Sequence, residues 1–523
     1  MAHISAHAGR ASFGRRRFLT AIGGAATAAL LAACGGGVDT STPTPAPPSA
    51  RPSAAPSAAP AAPSAAPAAS SAAPAAGTAA RATTAAGANT PVSAATAAVG
   101  KPAGNYAPPP TLKKDVTVRY QTFWAQYRTD ILKQSIDQFT QQTGVKVNVE
   151  SIPGADYRTG LATTMAAGTA PDTFIADIWN AVKYYDAGLI LDLSERVKAD
   201  KIDLNADYGL IGLEQYCGKT MMLPFVLSPH GWYYNKTMLK EVGAKDPWDD
   251  LNGQWTYDDF REIAMKVTAG GNGKRWGAQL GATMEYNWDP IIRTLGGATT
   301  DFKASPPKYA FGSEASIAAL TTIRDWYTKD KIILPPDQSK SLVNEGITSP
   351  FASKLVAMYE DSTGQLTFLA QNVKDFEWDI APPPRKSKDV APVGHSDGDA
   401  TMISAKGKNL DEAYAFAKHL AGPTTQDILA KNKLLLPALK ASASSPAYLE
   451  APPKHMSVFP GIFTGSYATS FYHGEGLESQ IAMTAFAEQL VLGSKQPADA
   501  KALQDDLNKN VKFGGCVPSY VSK

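Results

Sequence analysis

Apolar and polar residues alternate through Val116–Phe123, the period of a half-buried strand. Through Thr129–Gln142 the apolar positions Ile131, Leu132, Ile136 and Phe139 fall at helical spacing, and Gly144 supplies the stop. The two periods then take turns: strand Val145–Ile152, helix Tyr157–Ala167 stopped at Gly168, strand Thr173–Ile178, helix Asn180–Ala187 stopped at Gly188. This alternation predicts βαβ units and a largely parallel sheet, an architecture that binds ligands at the carboxyl ends of its strands. Phe123–Tyr127 and Asp177–Asn180 then share one rim.

The pattern changes at Met222–Leu239, MLPFVLSPHGWYYNKTML. Two β-like runs, Leu223–Leu227 and Trp232–Tyr234, flank Ser228-Pro229-His230-Gly231. Proline has no backbone donor and glycine no side chain, so the stretch predicts a strand that breaks, turns and resumes elsewhere. An ordinary buried strand and turn is the competing reading. Beyond it the alternation restarts. Asn235–Val242 and Thr256–Thr268 are helical, with Thr256 as N-cap and Asp258 and Asp259 favouring the first turn. Trp276–Leu280 is a strand, and Trp288–Leu295 and Ser313–Tyr327 are helices. Leu355–Tyr359 is a strand ending in Glu360-Asp361-Ser362, and Trp378–Ala381 and Thr401–Ser404 are two more. Asp411–Leu420 and Thr424–Lys431 are helices, and the tail from Tyr448 is mostly helical. The sum is two α/β halves joined through the Met222–Leu239 stretch.

The N-terminus carries an address rather than a fold. Arg15-Arg16-Arg17-Phe18-Leu19 precedes an uncharged run, Thr20–Ala33, too short to match the ~20 apolar residues of a spanning helix. It resembles a twin-arginine signal, and Leu31-Ala32-Ala33-Cys34-Gly35 resembles a bacterial lipobox. Residues 1–34 are thus expected to be a lipoprotein signal, with Cys34 lipidated and anchoring the protein to the outer face of the cell membrane. Residues 35–110 are almost only Ala, Pro, Ser, Thr and Gly and predict a disordered tether.

The formal net charge is +2, and no basic run follows the signal, so nucleic-acid binding has no electrostatic footprint. Of three cysteines, Cys217 and Cys516 are a candidate disulfide pair outside the cell, with two separate thiols as the other reading. No CxxC, HExxH or clustered Cys/His spacing is present, so neither a metal nor a cofactor is expected. His395-Ser396-Asp397 is no triad, because adjacent residues point different ways, and no GxSxG elbow occurs. A surface-tethered glycosidase or lyase remains the alternative class.

Several motifs, in order, resemble the extracellular solute-binding proteins (family 1) of carbohydrate-type ABC importers. They are Ala166-Ala167-Gly168-Thr169-Ala170-Pro171-Asp172, Ala187–Leu193, Leu223-Pro224-Phe225 followed by Tyr233-Tyr234-Asn235-Lys236, and Phe351–Met358, with Ser353 where the family usually has Gly. Ala381-Pro382-Pro383-Pro384, Thr401–Ser404 and Glu412–Leu420 continue the series. The resemblance implies a two-lobed, periplasmic-binding-protein-like α/β fold of type II with the ligand between lobes joined by crossover strands. It implies lobe 1 at 111–227 plus about 402–447 and lobe 2 at 228–401 plus about 448–523. It also implies a monomer that captures a small solute, most plainly a carbohydrate, by hinged closure and delivers it to a membrane permease; a non-sugar solute stays open.

Sugar sites combine aromatic faces with polar groups that fix hydroxyls. Positions of that kind matching the family's cleft are Trp124, Tyr127, Asp177, Trp179, Asn180, Ser228, His230, Trp232, Glu285, Tyr286, Trp288, Asp361, His395 and Asp397, with core packing as the competing role for each Trp. Two departures point away from a standard oligosaccharide. Asp361 is followed by Ser362-Thr363-Gly364 without an aromatic, and Gly394-His395-Ser396-Asp397-Gly398-Asp399 replaces the usual Gly-Gly loop.

Overall fold

Leu223–Asn235 is a single 13-residue strand that takes part in two sheets. The computed structural model describes residues 100–523, except 153, 177–179, 210, 211, 213, 305, 462–467, 471–476, 512 and 514–523. Strands are numbered along the chain as β1 (Thr117–Thr122), β2 (Lys146–Ser151), β3 (Thr173–Ile175), β4 (Leu223–Asn235), β5 (Trp276–Gln279), β6 (Val356–Ser362), β7 (Trp378–Ala381), β8 (Val393–Ile403) and β9 (Leu436–Pro437). Their order is β2-β1-β3-β8-β4-β6-β5, with β7 and β9 also pairing β4. The β2-β1-β3 pairs are parallel and the pairs to β4 are antiparallel. The two α/β halves that the alternation anticipates are present, but the sheet is mixed rather than largely parallel, since β8 pairs antiparallel with β3 and every pair to β4 is antiparallel.

The break expected in β4 does not occur, for a reason visible in the register. Leu227 still pairs with Leu436 of β9, and His230 already pairs with Ser362 of β6. Ser228 and Pro229 therefore sit where one flank changes partners. The missing proline donor falls in that gap, while the other flank keeps Pro229 opposite Ser396 of β8. Gly231 is not a turn glycine either. A Cβ there would meet Ile380 Cδ1 at 2.9 Å and Phe459 Cε1 at 3.4 Å. It is small because the strand is packed tightly from the side.

Among the described residues, buried apolar side chains form three clusters. One lies over β1 and β3 and holds Val118, Tyr120, Leu132, Phe139, Phe225 and Phe416. A second holds Trp232, Tyr234, Trp255, Phe260, Trp288 and Trp326. A third runs beneath both halves, joining Phe174, Leu223 and Leu227 to Tyr233, Ile380 and Phe459. The helices that cover these clusters follow the predicted spacing: Gln126–Thr143 ends at Gly144 in the left-handed conformation, and Thr256 caps Tyr257–Gly270 in a capping box with Asp259.

Three expectations need correction. β8 begins at Val393, not Thr401, so His395, Ser396 and Asp397 lie within a strand rather than in a loop. The stretch expected to open a helix at Trp288 is preceded by a π-turn, Met284–Trp288, and the α-helix is Asp289–Thr294. The last part of the segment expected to be tether, from residue 105, is instead hydrogen-bonded to the folded chain. Asn105 N donates to Asp200 O at 2.8 Å and Tyr208 OH donates to Tyr106 OH at 2.8 Å. An aromatic ring gives this end of the segment something to bury, which the Ala/Pro repeats lack. Cys217 is disulfide-bonded, and Cys516 lies outside the described residues.

Gly231→Ala is expected to cost about 1–3 kcal/mol of folding stability, the usual penalty of overpacking. Urea unfolding measures it; an unchanged midpoint would mean that the crossing is not tightly packed.

Candidate ligand-binding site

A cavity of about 470 Å³ opens where β4 changes partners. That volume lies in the lower half of the roughly 300–1,000 Å³ usual for small-molecule clefts. Strands supply most of its wall, β4 and β8 through their middles and β6 through its carboxyl end. β4 gives Ser228 and His230, β6 gives Tyr359, Glu360, Asp361 and Ser362, and β8 gives Asp397, Gly398 and Asp399. Phe123 and Arg128 come from the end of β1 and the following helix. Gln279, Gly281, Thr283, Tyr286 and Asn287 come from β5 and the π-turn, and Leu435 precedes β9.

The polar groups are held in place. His230 Nδ1 donates to Glu360 Oε1 at 2.8 Å. Asn287 Nδ2 donates to Glu360 Oε2, and Thr283 Oγ1 donates to Asn287 Oδ1. Asp361 accepts from Tyr359 OH, from Gln365 Nε2 at 3.2 Å and from the Ser362 amide at 2.6 Å. Asp399 accepts from Trp124 Nε1 at 2.7 Å. Burial works against a charged His230, but Glu360, Asp397 and Asp361 outweigh it and bring its pKa up to about 9, so the imidazole is cationic at neutral pH. Burial raises Asp397 against the pull of His230, and raises Asp399 to about 6 against the Trp124 hydrogen bond. The cavity thus sets four carboxylates, Glu360, Asp361, Asp397 and Asp399, against two cations, Arg128 and His230.

Of the sequence-predicted residues, Ser228, His230, Tyr286, Asp361 and Asp397 line this cavity together. His395 lies just behind them, buried, with its ring edge-on to His230 at 5.0 Å and to Tyr286 at 5.1 Å. The three described tryptophans among the predicted site residues are core. Trp124 stacks on Phe225 at 4.9 Å, Trp232 is 2% exposed and packs on Trp255 and Phe260, and Trp288 lies against Tyr327. Each large apolar ring follows the face its strand or turn offers, and those faces point into the clusters. Tyr127 is 44% exposed, with its hydroxyl accepting from Arg128 Nε at 2.8 Å, and it is the neighbouring Arg128 that lines the cavity. Asn180 is half-buried at the N-cap of Ala181–Asp186 and is outside the cavity wall. Asp177 and Trp179 lie outside the described residues.

Sequence reasoning missed Phe123, Arg128, Asn287, Tyr359, Glu360 and Asp399. Two carried a signal. Once β8 extends back to Val393, His395, Asp397 and Asp399 share a face by the two-residue period. Glu360 likewise reaches the strand end beside Asp361.

Glu285, also expected in the cleft, is 4% exposed and outside the cavity wall, and among the described residues neither carboxyl oxygen has a side-chain hydrogen-bond partner. Burial raises its pKa from 4.5 to about 8. A raised pKa means that the folded state holds a proton the unfolded chain has already lost, so stability falls as pH rises from 4.5 to about 8. His230 acts in the same direction: its contribution is full below 6.5 and is lost as pH climbs through about 9. Glu285→Gln should therefore raise stability at pH 8 by at least about 1 kcal/mol and flatten the lower part of the slope. Thermal melts from pH 5 to pH 9 on both proteins test this; parallel profiles would contradict it.

Known proteins share this architecture. A family model described as bacterial extracellular solute-binding protein matches residues 134–456. An ABC substrate-binding protein from Listeria monocytogenes, solved with cycloalternan, superposes with a TM-score of 0.67 at 22% identity, covering 76% of this chain and 99% of that one. UgpB from Mycobacterium tuberculosis, solved with glycerophosphocholine, gives 0.63 at 18% identity over 75% of this chain and 97% of its own. An erythritol/L-threitol-binding protein of Mycolicibacterium smegmatis is 28% identical over 150 residues, 25% of this chain and 30% of that relative's length. With the model matched from the first helix to beyond β9, the chain belongs to the bacterial extracellular solute-binding proteins.

Proposed function

We propose that this protein is the substrate-binding component of an ABC importer and that its ligand is a small, uncharged polyhydroxy compound, a polyol or monosaccharide. The cavity carries this reading. Its carboxylates, amides and imidazole can hold several hydroxyls at once, and Phe123, Tyr286 and Tyr359 offer ring surface for the C–H faces. Four carboxylates against two cations disfavour an anionic ligand, because like charge in a poorly solvated cleft is repelled. The small volume and the missing aromatic after Asp361 favour a short ligand over an oligosaccharide. The polyols named for the Mycolicibacterium relative are of that size class.

Closure of two lobes on the ligand is part of this reading. One lobe comprises 111–227 and about 402–447, and the other 228–401 and about 448–523. β4 and β8 cross between them. A ligand touching Phe123 and Arg128 on one side and Asp361 and Asn287 on the other binds the closed arrangement better than the open one and so shifts the population toward it. The closed protein, a monomer, then presents its ligand to a membrane permease. The family is extracellular, and no helix among the described residues is long and apolar enough to cross a membrane. Attachment through a lipid on Cys34 and pairing of Cys217 with Cys516 complete the reading.

A panel of tetritols, pentitols, monosaccharides, maltose and a sugar phosphate, followed by thermal shift and by product analysis, tests the ligand class. The expected result is a shift with small neutral polyols, none with the phosphate, and no product; a shift confined to the phosphate would overturn it. Asp361→Asn should weaken the best ligand at least tenfold, about 1.4 kcal/mol, by loss of a charge-assisted hydrogen bond. For the anchor, Cys34→Ser is expected to move the protein from the membrane to the soluble fraction; retention in the membrane would count against lipidation.

A further inference from the structure

We infer that His230, His395 and Asp397 form a binding site for one divalent transition-metal ion at the floor of the cleft. The three residues come from neighbouring antiparallel strands. Asp397 pairs with Ser228 and Ser396 with Pro229, and His395 and Asp397 share one face of β8. That register sets them beside His230, and one ligand atom from each lies within 4.8 Å of the others. Donors on a common ion at about 2.0–2.2 Å can stand no more than roughly 4.3 Å apart, so a tightening of about half an ångström completes the set.

Two further observations favour a metal over a simple hydrogen-bonding cluster. Two imidazoles and one carboxylate suit zinc, cobalt or iron(II) rather than magnesium or calcium, which prefer oxygen alone. His230 already has the support that a metal-bound histidine needs. Its Nδ1 is held by Glu360 at 2.8 Å, so an ion would bind Nε2 in exchange for the proton that nitrogen carries at neutral pH, released to solvent, and Glu360 is fixed in turn by Asn287. A small void of about 10 Å³ touches His230 and His395 but not Asp397, and its wall is largely apolar (Trp232, Pro290, Ile291, Pro383), so it lies beside the three ligands rather than between them. His230 and Asp397 also line the large cavity, so the ion's remaining coordination positions would face the solute. Spacing motifs are blind to such a site because its histidines sit on different strands, far apart in the chain.

The test uses the full chain, stripped with EDTA and titrated with Zn²⁺ alone by calorimetry, with no sugar present. The proposal therefore stands or falls separately from the identity of the solute. One equivalent should bind at micromolar concentration or tighter. His395→Ala and Asp397→Asn should each weaken binding by at least tenfold, and Glu360→Gln by about 10–100-fold, as for other outer-shell partners. His455→Ala, whose imidazole pairs with Asp379 elsewhere, should leave it unchanged. Cobalt(II) added to the unmutated protein gives a second readout that does not depend on any variant folding, the visible absorption of histidine-ligated cobalt. Absence of uptake, an aqua-ion spectrum, or uptake that survives His395→Ala would overturn the site.

Discussion

The structure depends on one strand serving two sheets. β4 hydrogen-bonds to β8 and β9 in its first half and to β6 and β7 in its second, and only Ser228 and Pro229 lie between the two sets along one flank. A single strand with two sets of partners cannot bury both halves against one core. It therefore feeds two separate clusters and a third that runs beneath them. The gap left at the exchange of partners is where the cavity opens, and the middles of β4 and β8 with the carboxyl end of β6 supply much of its polar wall. Fold and site are consequences of the same exchange.

That convergence has an electrostatic cost, which a network offsets. Glu360, Asp361 and Asp397 approach one another at the crossing, and His230 among them is held cationic by their field. Hydrogen bonds from Asn287, Tyr359 and Gln365 take up further carboxylate oxygens. Such a network is ordered before any solute arrives, so a ligand replaces water at preset acceptors rather than arranging them. The same density of acceptors and imidazoles also makes the floor of the cleft a candidate for a cation.

The fold was legible because it rests on periodicity and punctuation, which are local. Gly144 and Thr256 sit at helix ends as expected, and β1, β2 and β7 fall where alternation puts them. The site was only partly legible because membership depends on which face a residue takes. Trp124, Trp232 and Trp288 look like sugar platforms in a sequence, yet their faces turn into the cores. Pro229 and Gly231 look like a break, but one falls in a gap between partners and the other is a packing contact with Ile380 and Phe459. Glu360 and Asn287 could not be linked in advance, since nothing local joins β6 to the π-turn. Arg128 was hidden beside the more conspicuous Tyr127.

The central claim is that a small polyhydroxy solute sits where β4 changes partners. A crystal structure of the protein grown with the polyol that gives the largest thermal shift tests it most directly. The expected result is density for that molecule in the cavity, with hydroxyls on Asp361, Asp397 and His230 and both lobes in contact. Density at another surface, with this cavity holding only water, would contradict it.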